Sequence, residues 1–186
     1  SLEVAMRPMT DLLFTQSRED AVSAVSLNIM NKHRVFDIGN GVDTNKFDPS
    51  LHYQTDAFDL PEGQIVIGMI SRLVQEKGIV ELLDSILLIK QFDNFSLEII
   101  GGGTFLKEAK KIVQQNKINN FVTFYGWRSS DFIKNKLSKA DIFILPSWEE
   151  GFPNALVEAL ASGLCVITTN VGTISDYISN YKNGIY

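Results

Sequence analysis

Two glutamates in the stretch 149–162 (EEGFPNALVEALAS) carry the most chemistry in this chain. Pro153 suits a first helical turn, and Asn154 is the expected cap. Leu156, Ala159 and Leu160 recur at helical spacing and mark the packing face, which leaves Glu158 on the exposed flank. Glu150 precedes the helix, and Gly151 gives the backbone room to approach a ligand closely. The N–H groups that open a helix attract anions, phosphate above all. Carboxylates beside them suit hydroxyl-rich groups attached to that phosphate, which describes a nucleotide sugar. Acidic residues also favour helix starts through the dipole alone, so the rest of the chain must decide between the two.

A second candidate is SRLVQEKG, 71–78, which follows an apolar strand directly. Its Arg72 and Lys77 are placed to neutralise a diphosphate, the arginine bidentately, although taken alone they read as two solvated charges. As exposed charges, both are expected to leave thermal stability nearly unchanged when replaced. Gly101-Gly102-Gly103 follows the next strand and permits close backbone approach, or merely a tight turn. It is not a dinucleotide fingerprint, since Leu106 stands where the third glycine belongs, and no Walker A sequence is present. Trp127 and Arg128 follow a third strand, where the indole either flanks a base or packs. No two aspartates are spaced Asp-x-Asp, so phosphate neutralisation is expected from side chains and backbone, with no metal (compare). Cys165 lies in an apolar run and is expected to be a buried, inert thiol. With His33 and His52 it makes no zinc spacing.

These residues need a scaffold, and the chain supplies a regular one. Strands are expected at 64–70, 96–100, 121–125, 141–145 and 164–168, separated by helices at 78–91, from the glycine triplet to 116, 129–138 and the stretch after Pro153. Near-continuous apolar strands alternating with helices mean a parallel sheet covered on both faces, a Rossmann-like α/β domain. Ligands bind at the strand C-terminal edge of such sheets, where all the loops named above lie. Before this rhythm, 17–32 reads as a helix with Ser17 and Asp20 in capping-box spacing, and 34–38 as a short strand. The irregular run from Gly39 to Pro61 reads as a linker or hinge.

Totals narrow the classes. The chain has 186 residues, 45% hydrophobic and 21% charged, with a formal charge of −5. That charge and the lack of a basic run argue against nucleic-acid binding. No apolar stretch approaches a membrane span, and no signal-peptide pattern opens the chain. One cysteine fits a reducing, cytoplasmic setting. Both ends read as cut: the chain opens on Ser1-Leu2 and stops at Asn183-Gly184-Ile185-Tyr186, where a further strand is expected.

The set Ser71-Arg72…Glu76-Lys77-Gly78, Glu150-Gly151-Phe152-Pro153-Asn154…Glu158-Ala159 and Asn40-Gly41-Val42-Asp43…Phe47 closely resembles retaining glycosyltransferases of family 4, which have the GT-B fold. The resemblance implies two Rossmann-like domains: residues 1–39 as the end of an acceptor domain, 40–63 as a linker, and 64–186 as a donor domain incomplete at its C-terminus. It implies that Arg72 and Lys77 hold the donor diphosphate, that Glu158 holds the ribose, and that Glu150 holds the transferred sugar. Backbone N–H groups around Phe152, Pro153, Asn154 and Ala155 would cap a phosphate, with Gly102, Trp127, Arg128 and Gly151 also against the donor. The resemblance implies a uridine diphosphate sugar as the default donor, with no cofactor or metal expected. It further implies a saccharide or lipid-linked acceptor, in polysaccharide, lipopolysaccharide or glycolipid assembly, with a cytoplasmic, membrane-peripheral site. The expected reaction retains anomeric configuration, the leaving diphosphate being stabilised electrostatically. Cys165 and Thr173 replace residues frequent in the family, with only local loop shape at stake. Two alternatives stand beside this reading: a sugar-nucleotide epimerase on the same fold, and a nucleotide-sugar binding module without turnover.

Overall fold

The computed structural model describes residues 2–51 and 63–186, which form two compact units, Ser1–Gly41 and Val42–Tyr186. His52 and the run to Pro61 expected as linker lie outside the described residues.

The first unit contains helix α1 (Leu2–Met6), strand β1 (Leu13–Thr15), helix α2 (Arg18–Ser26) and strand β2 (Val35–Asp37). The two strands pair in parallel, with Leu13 opposite Val35. Ser17 caps α2: its Oγ accepts from the Asp20 N–H at 3.0 Å and donates to Asp20 Oδ2 at 2.7 Å. Helix α2 ends well before the expected Lys32. Asn28 adopts φ 58°, and the Ile29 and Met30 N–H groups both turn back to the Ala24 carbonyl. Such a left-handed residue closes a helix by satisfying its last carbonyls.

The second unit is built on five strands, β3 (Ile65–Ile70), β4 (Phe95–Ile100), β5 (Val122–Gly126), β6 (Ile142–Leu145) and β7 (Cys165–Thr168). Their order is β5-β4-β3-β6-β7, all parallel, with Ile65 opposite Phe95, Ile67 opposite Ile142, and Ile142 opposite Cys165. Helices α3 (Ile79–Ile89), α4 (Leu106–Gln115), α5 (Ser130–Leu137), α6 (Asn154–Ala161) and the short α7 (Ile174–Tyr177) complete it. Alternate residues of a strand face opposite sides of the sheet, so each face has its own core. On one, Met69, Leu97 and Ile99 pack with Leu82, Leu83 and Ile86 of α3 and with Ala109 and Val113 of α4. On the other, Phe143, Leu145 and Val166 pack with Leu137 of α5 and with Leu156 and Ala159 of α6. Phe47 is buried in that second core, so residues read as the start of a linker contribute to the unit.

Two local expectations are corrected. Asn154 is the first residue of α6, and the cap position is Pro153, which brings no side-chain cap bond. Cys165 is exposed. It alternates with the buried Val166 along β7, the strand at the edge of the sheet, and with Ile167 it faces away from the α6 core.

Candidate active site

Strand β3 hydrogen-bonds to β4 on one side and β6 on the other. The chain leaves β3 and β6 in opposite directions, so the loops after them part and leave a crevice at the strand C-terminal edge. The loop after β3 tightens into a 3-10 turn, Gln75–Lys77, closed by Gly78 at φ 64°. A Cβ on Gly78 would lie 2.0 Å from the Pro146 carbonyl oxygen, so only glycine lets this turn press against the loop after β6. The Trp148 N–H then donates to the Glu76 carbonyl at 2.8 Å. Lys77 Nζ reaches Glu150 Oε1 at 2.8 Å and the Glu149 carbonyl at 2.9 Å. These two side chains are only 14% and 9% exposed.

Glu150 is held from other directions as well. Ser147 Oγ donates to Glu150 Oε1 at 2.6 Å, and Thr169 Oγ1 donates to the Ser147 carbonyl. Thr173 Oγ1 donates to the Gly151 carbonyl at 2.6 Å. Gly172, at φ 55°, passes so close that a Cβ there would sit 1.9 Å from the Glu150 carbonyl oxygen. The loops after β3 and β7 thus clamp the one after β6 between them.

The crevice opens into a cleft of about 490 Å³. One wall carries Arg72 and Lys77, a second Glu150, Gly151, Phe152 and Pro153, then Asn154, Ala155 and Glu158 of α6. Trp127, Arg128 and Ile133 form the third. Arg72 is exposed, and among the described residues its guanidinium has no hydrogen-bond or ion-pair partner. A side chain on Gly151 would meet nothing within 4 Å, so the space there is open cleft. Gly102 does not line the cleft: it lies under Trp127, and a Cβ on it would come 2.8 Å from the indole Nε1. Trp127 is 66% exposed beyond that contact. Arg128 holds its guanidinium 5.3 Å from the centre of the Phe132 ring.

At α6 the first donors to a helical carbonyl are Leu156 and Val157, both to Pro153. The N–H groups ahead of them are out of reach of the helix's own carbonyls and lie at its positive end. Glu158, one turn in, is half-buried, and burial pushes its pKa up, with the Lys46 cation pulling it partly back. A cleft with cations on one side, helix N–H groups at its base and two carboxylates deeper in can take a polyphosphate ester bearing hydroxyl groups.

The sequence profile of the glycosyl transferases group 1 family matches residues 54–186. The chain belongs to that family. Its curated relatives include the amylovoran biosynthesis glycosyltransferase AmsK of Erwinia amylovora, 30% identical over 151 residues, which make up 77% of this chain and 36% of that protein. Another is the UDP-Gal:alpha-D-GlcNAc-diphosphoundecaprenol alpha-1,3-galactosyltransferase of Escherichia coli, 26% identical over 190 residues, 98% of this chain and 49% of the other. The crystal structure of the C-terminal domain of the group 1 family protein LpcC from Francisella tularensis superposes with a TM-score of 0.65 at 28% identity, over 78% of both chains. The architecture is that of GT-B glycosyltransferases. The chain spans less than half the length of the curated relatives named here.

For this group 1 chain, the structure brings Arg72, Lys77, Trp127, Arg128, Glu150 and Glu158 to one cleft. Lys77 is not the solvated charge that the sequence suggests, and Glu158 is less exposed than its flank position implies. Sequence reasoning missed Ser147, Thr169 and Thr173, which fix the Glu150 loop by side-chain bonds to it. Their signal was faint: three small hydroxyl residues after apolar strands, one of them noted only for loop shape.

Proposed function

We propose that this chain binds the donor of a glycosyltransferase, a nucleoside diphosphate sugar, and that the protein bearing it transfers the sugar with retention of anomeric configuration. The observation that carries this reading is the Lys77–Glu150 pair at the point where the strand order reverses, with Arg72 beside it and the start of α6 beneath. Arg72 and Lys77 hold the diphosphate, Glu158 the ribose hydroxyls and Glu150 the sugar, while Trp127 and Arg128 face the base. As the bond to the sugar breaks, charge develops on the diphosphate, and in this reading the two cations and the α6 N–H groups stabilise it. Uridine diphosphate is the proposed carrier, in keeping with the donor in the name of the E. coli relative. The acceptor is a saccharide, free or lipid-linked, bound largely by a second domain. The unit Val42–Tyr186 is the donor domain in this reading, 1–39 belong to the acceptor side, and the site of action is the cytoplasmic side of a membrane. No metal is required.

Calorimetric titration with a panel of nucleotide sugars tests this. The chain is expected to bind uridine diphosphate and its sugars equally well with and without chelator. Arg72→Ala should weaken binding by about 1.5–3 kcal/mol, the scale of a charged hydrogen bond, with an unchanged melting temperature. Binding only in the presence of magnesium would overturn the metal-free part, and an unaltered affinity in Arg72→Ala the diphosphate assignment.

A further inference from the structure

Three polar side chains that the proposed donor site does not use meet on the α5 side of the sheet. Lys136 of α5 donates to Glu98 Oε1 of β4 at 2.7 Å and to the Tyr125 hydroxyl of β5 at 2.7 Å. That hydroxyl donates in turn to Glu98 Oε1 at 2.8 Å. The Lys136 and Glu98 side chains are 23% and 18% exposed. Burial disfavours the cation, but its bonds to Glu98 and Tyr125 outweigh that and hold the Lys136 pKa above its ordinary value. An ion pair withdrawn from water this far contributes little net stability over an apolar pair of the same size, and its use is then in fixing geometry.

The geometry it fixes leads to the cleft. Lys136 Nζ lies 4.4 Å from the centre of the Tyr125 ring and 6.0 Å from that of Phe132. Phe132 meets Tyr125 edge-on at 5.3 Å, and the Arg128 guanidinium covers Phe132 at 5.3 Å. A continuous stack thus runs from Glu98 through Lys136, Tyr125 and Phe132 to Arg128, next to Trp127 in the cleft wall. The loops that carry Arg72, Lys77 and Glu150 belong to other strands and have no part in it.

We infer that Lys136, held by Glu98 and Tyr125, is a positioning residue that fixes the Arg128–Trp127 wall and so sets which nucleobase the cleft accepts. The inference rests on the nucleotide-binding reading above. A wall held rigid discriminates a pyrimidine from the larger purines, whereas a loosened one accepts both. Affinity for the diphosphate end, made elsewhere, stays as it was.

The test is titration of the 186-residue chain and its variants with uridine and adenosine diphosphates. In Lys136→Met the preference for the uridine ligand is expected to fall about two- to fivefold, the equivalent of one cation–π contact, and Lys136→Arg should restore it. A general loss of stability would weaken both ligands together and leave their ratio alone. Tyr125→Phe keeps the ring beneath Lys136 and removes only the hydroxyl. It is expected to lower the ratio in the same direction, and it decides the matter should Lys136→Met fail to fold. A parental chain that binds both nucleotides equally, or variants that keep the parental ratio, would overturn the inference and leave the nucleotide reading standing. A parental chain that binds neither would overturn that reading and the inference with it.

Discussion

Lys77→Ala should lose both stability and ligand affinity, whereas Arg72→Ala loses affinity alone. Lys77 is paired at 2.8 Å with Glu150, and their side chains are 14% and 9% exposed. Removing the lysine leaves a largely buried carboxylate with Ser147 as its hydrogen-bond donor. Breaking a fully buried pair costs 3–5 kcal/mol, and because this pair borders an open cleft we expect about 2–4 kcal/mol from chemical denaturation. Diphosphate affinity should drop by about a further 1.5–3 kcal/mol. Glu150→Ala behaves differently: it frees Lys77 for phosphate, so nucleoside diphosphate binding holds or tightens while the sugar-bearing donor binds less well. The double variant removes both charges and should be more stable than Lys77→Ala alone. A Lys77→Ala protein that melts like its parent would mean that the pair is solvated, and the assignment of Lys77 as a desolvated phosphate ligand would fall with it.

Glu158→Gln should weaken nucleotide binding without harming the fold. Burial raises the Glu158 pKa, and Lys46 only partly offsets it. A raised folded-state pKa means that the neutral acid suits the fold. Its contribution to stability is full below the unfolded-state pKa and is lost as pH rises through the folded one. Glutamine, which never ionises, should therefore match or exceed the parental melting temperature at neutral pH and give no gain in acid. Ribose hydroxyls, in contrast, need the carboxylate as acceptor. Nucleotide affinity in the parent should fall as pH drops through the raised pKa, beginning above the ordinary glutamate range, and Glu158→Gln should flatten that acid limb. Its affinity for nucleoside diphosphate and nucleotide sugar alike should be lower by about 1.5–3 kcal/mol. Glu158 stands beyond the first turn of α6, where the helix dipole has little hold on a carboxylate. A variant with lowered melting temperature and unchanged affinity would show that Glu158 merely supports the helix.

Much of this is legible in the sequence. Apolar-rich runs such as Ile65–Ile70 and Phe95–Ile100, the second interrupted by Ser96 and Glu98, each followed by a helical pattern, point to parallel strands, whose two faces are both covered. Once the strands are parallel, their following loops must share one edge, so Arg72, Trp127 and Glu150 converge without any further information. What could not be read was set by partners distant in the chain. Whether Lys77 is solvated depends on Glu150, and only the pairing of β3 with β6 brings them together. Cys165 sits in an apolar run, but its exposure depends on β7 lying at the sheet edge. The early end of α2 hangs on one left-handed asparagine, a choice that helical periodicity does not register. Strand β1 and helix α7, three and four residues long, are too short to show a period at all.

The central place of β3 bears on how the chain is made. One of its edges is taken by β4, the next strand to leave the ribosome, but the other waits for β6. The Val66 N–H finds its acceptor in Asp141, 75 residues downstream. At about 5–20 residues per second, that edge stays open for roughly 4–15 s of synthesis. Through that interval the nascent chain carries a six-residue segment, IVIGMI, without charge or proline and with one row of backbone groups unpaired. Such an edge pairs readily with another copy of itself. A translation stall before β6 has emerged from the ribosome would therefore favour aggregation of this protein, whereas one after its emergence would not, and the carboxylate of Asp141 is among the groups that close the window.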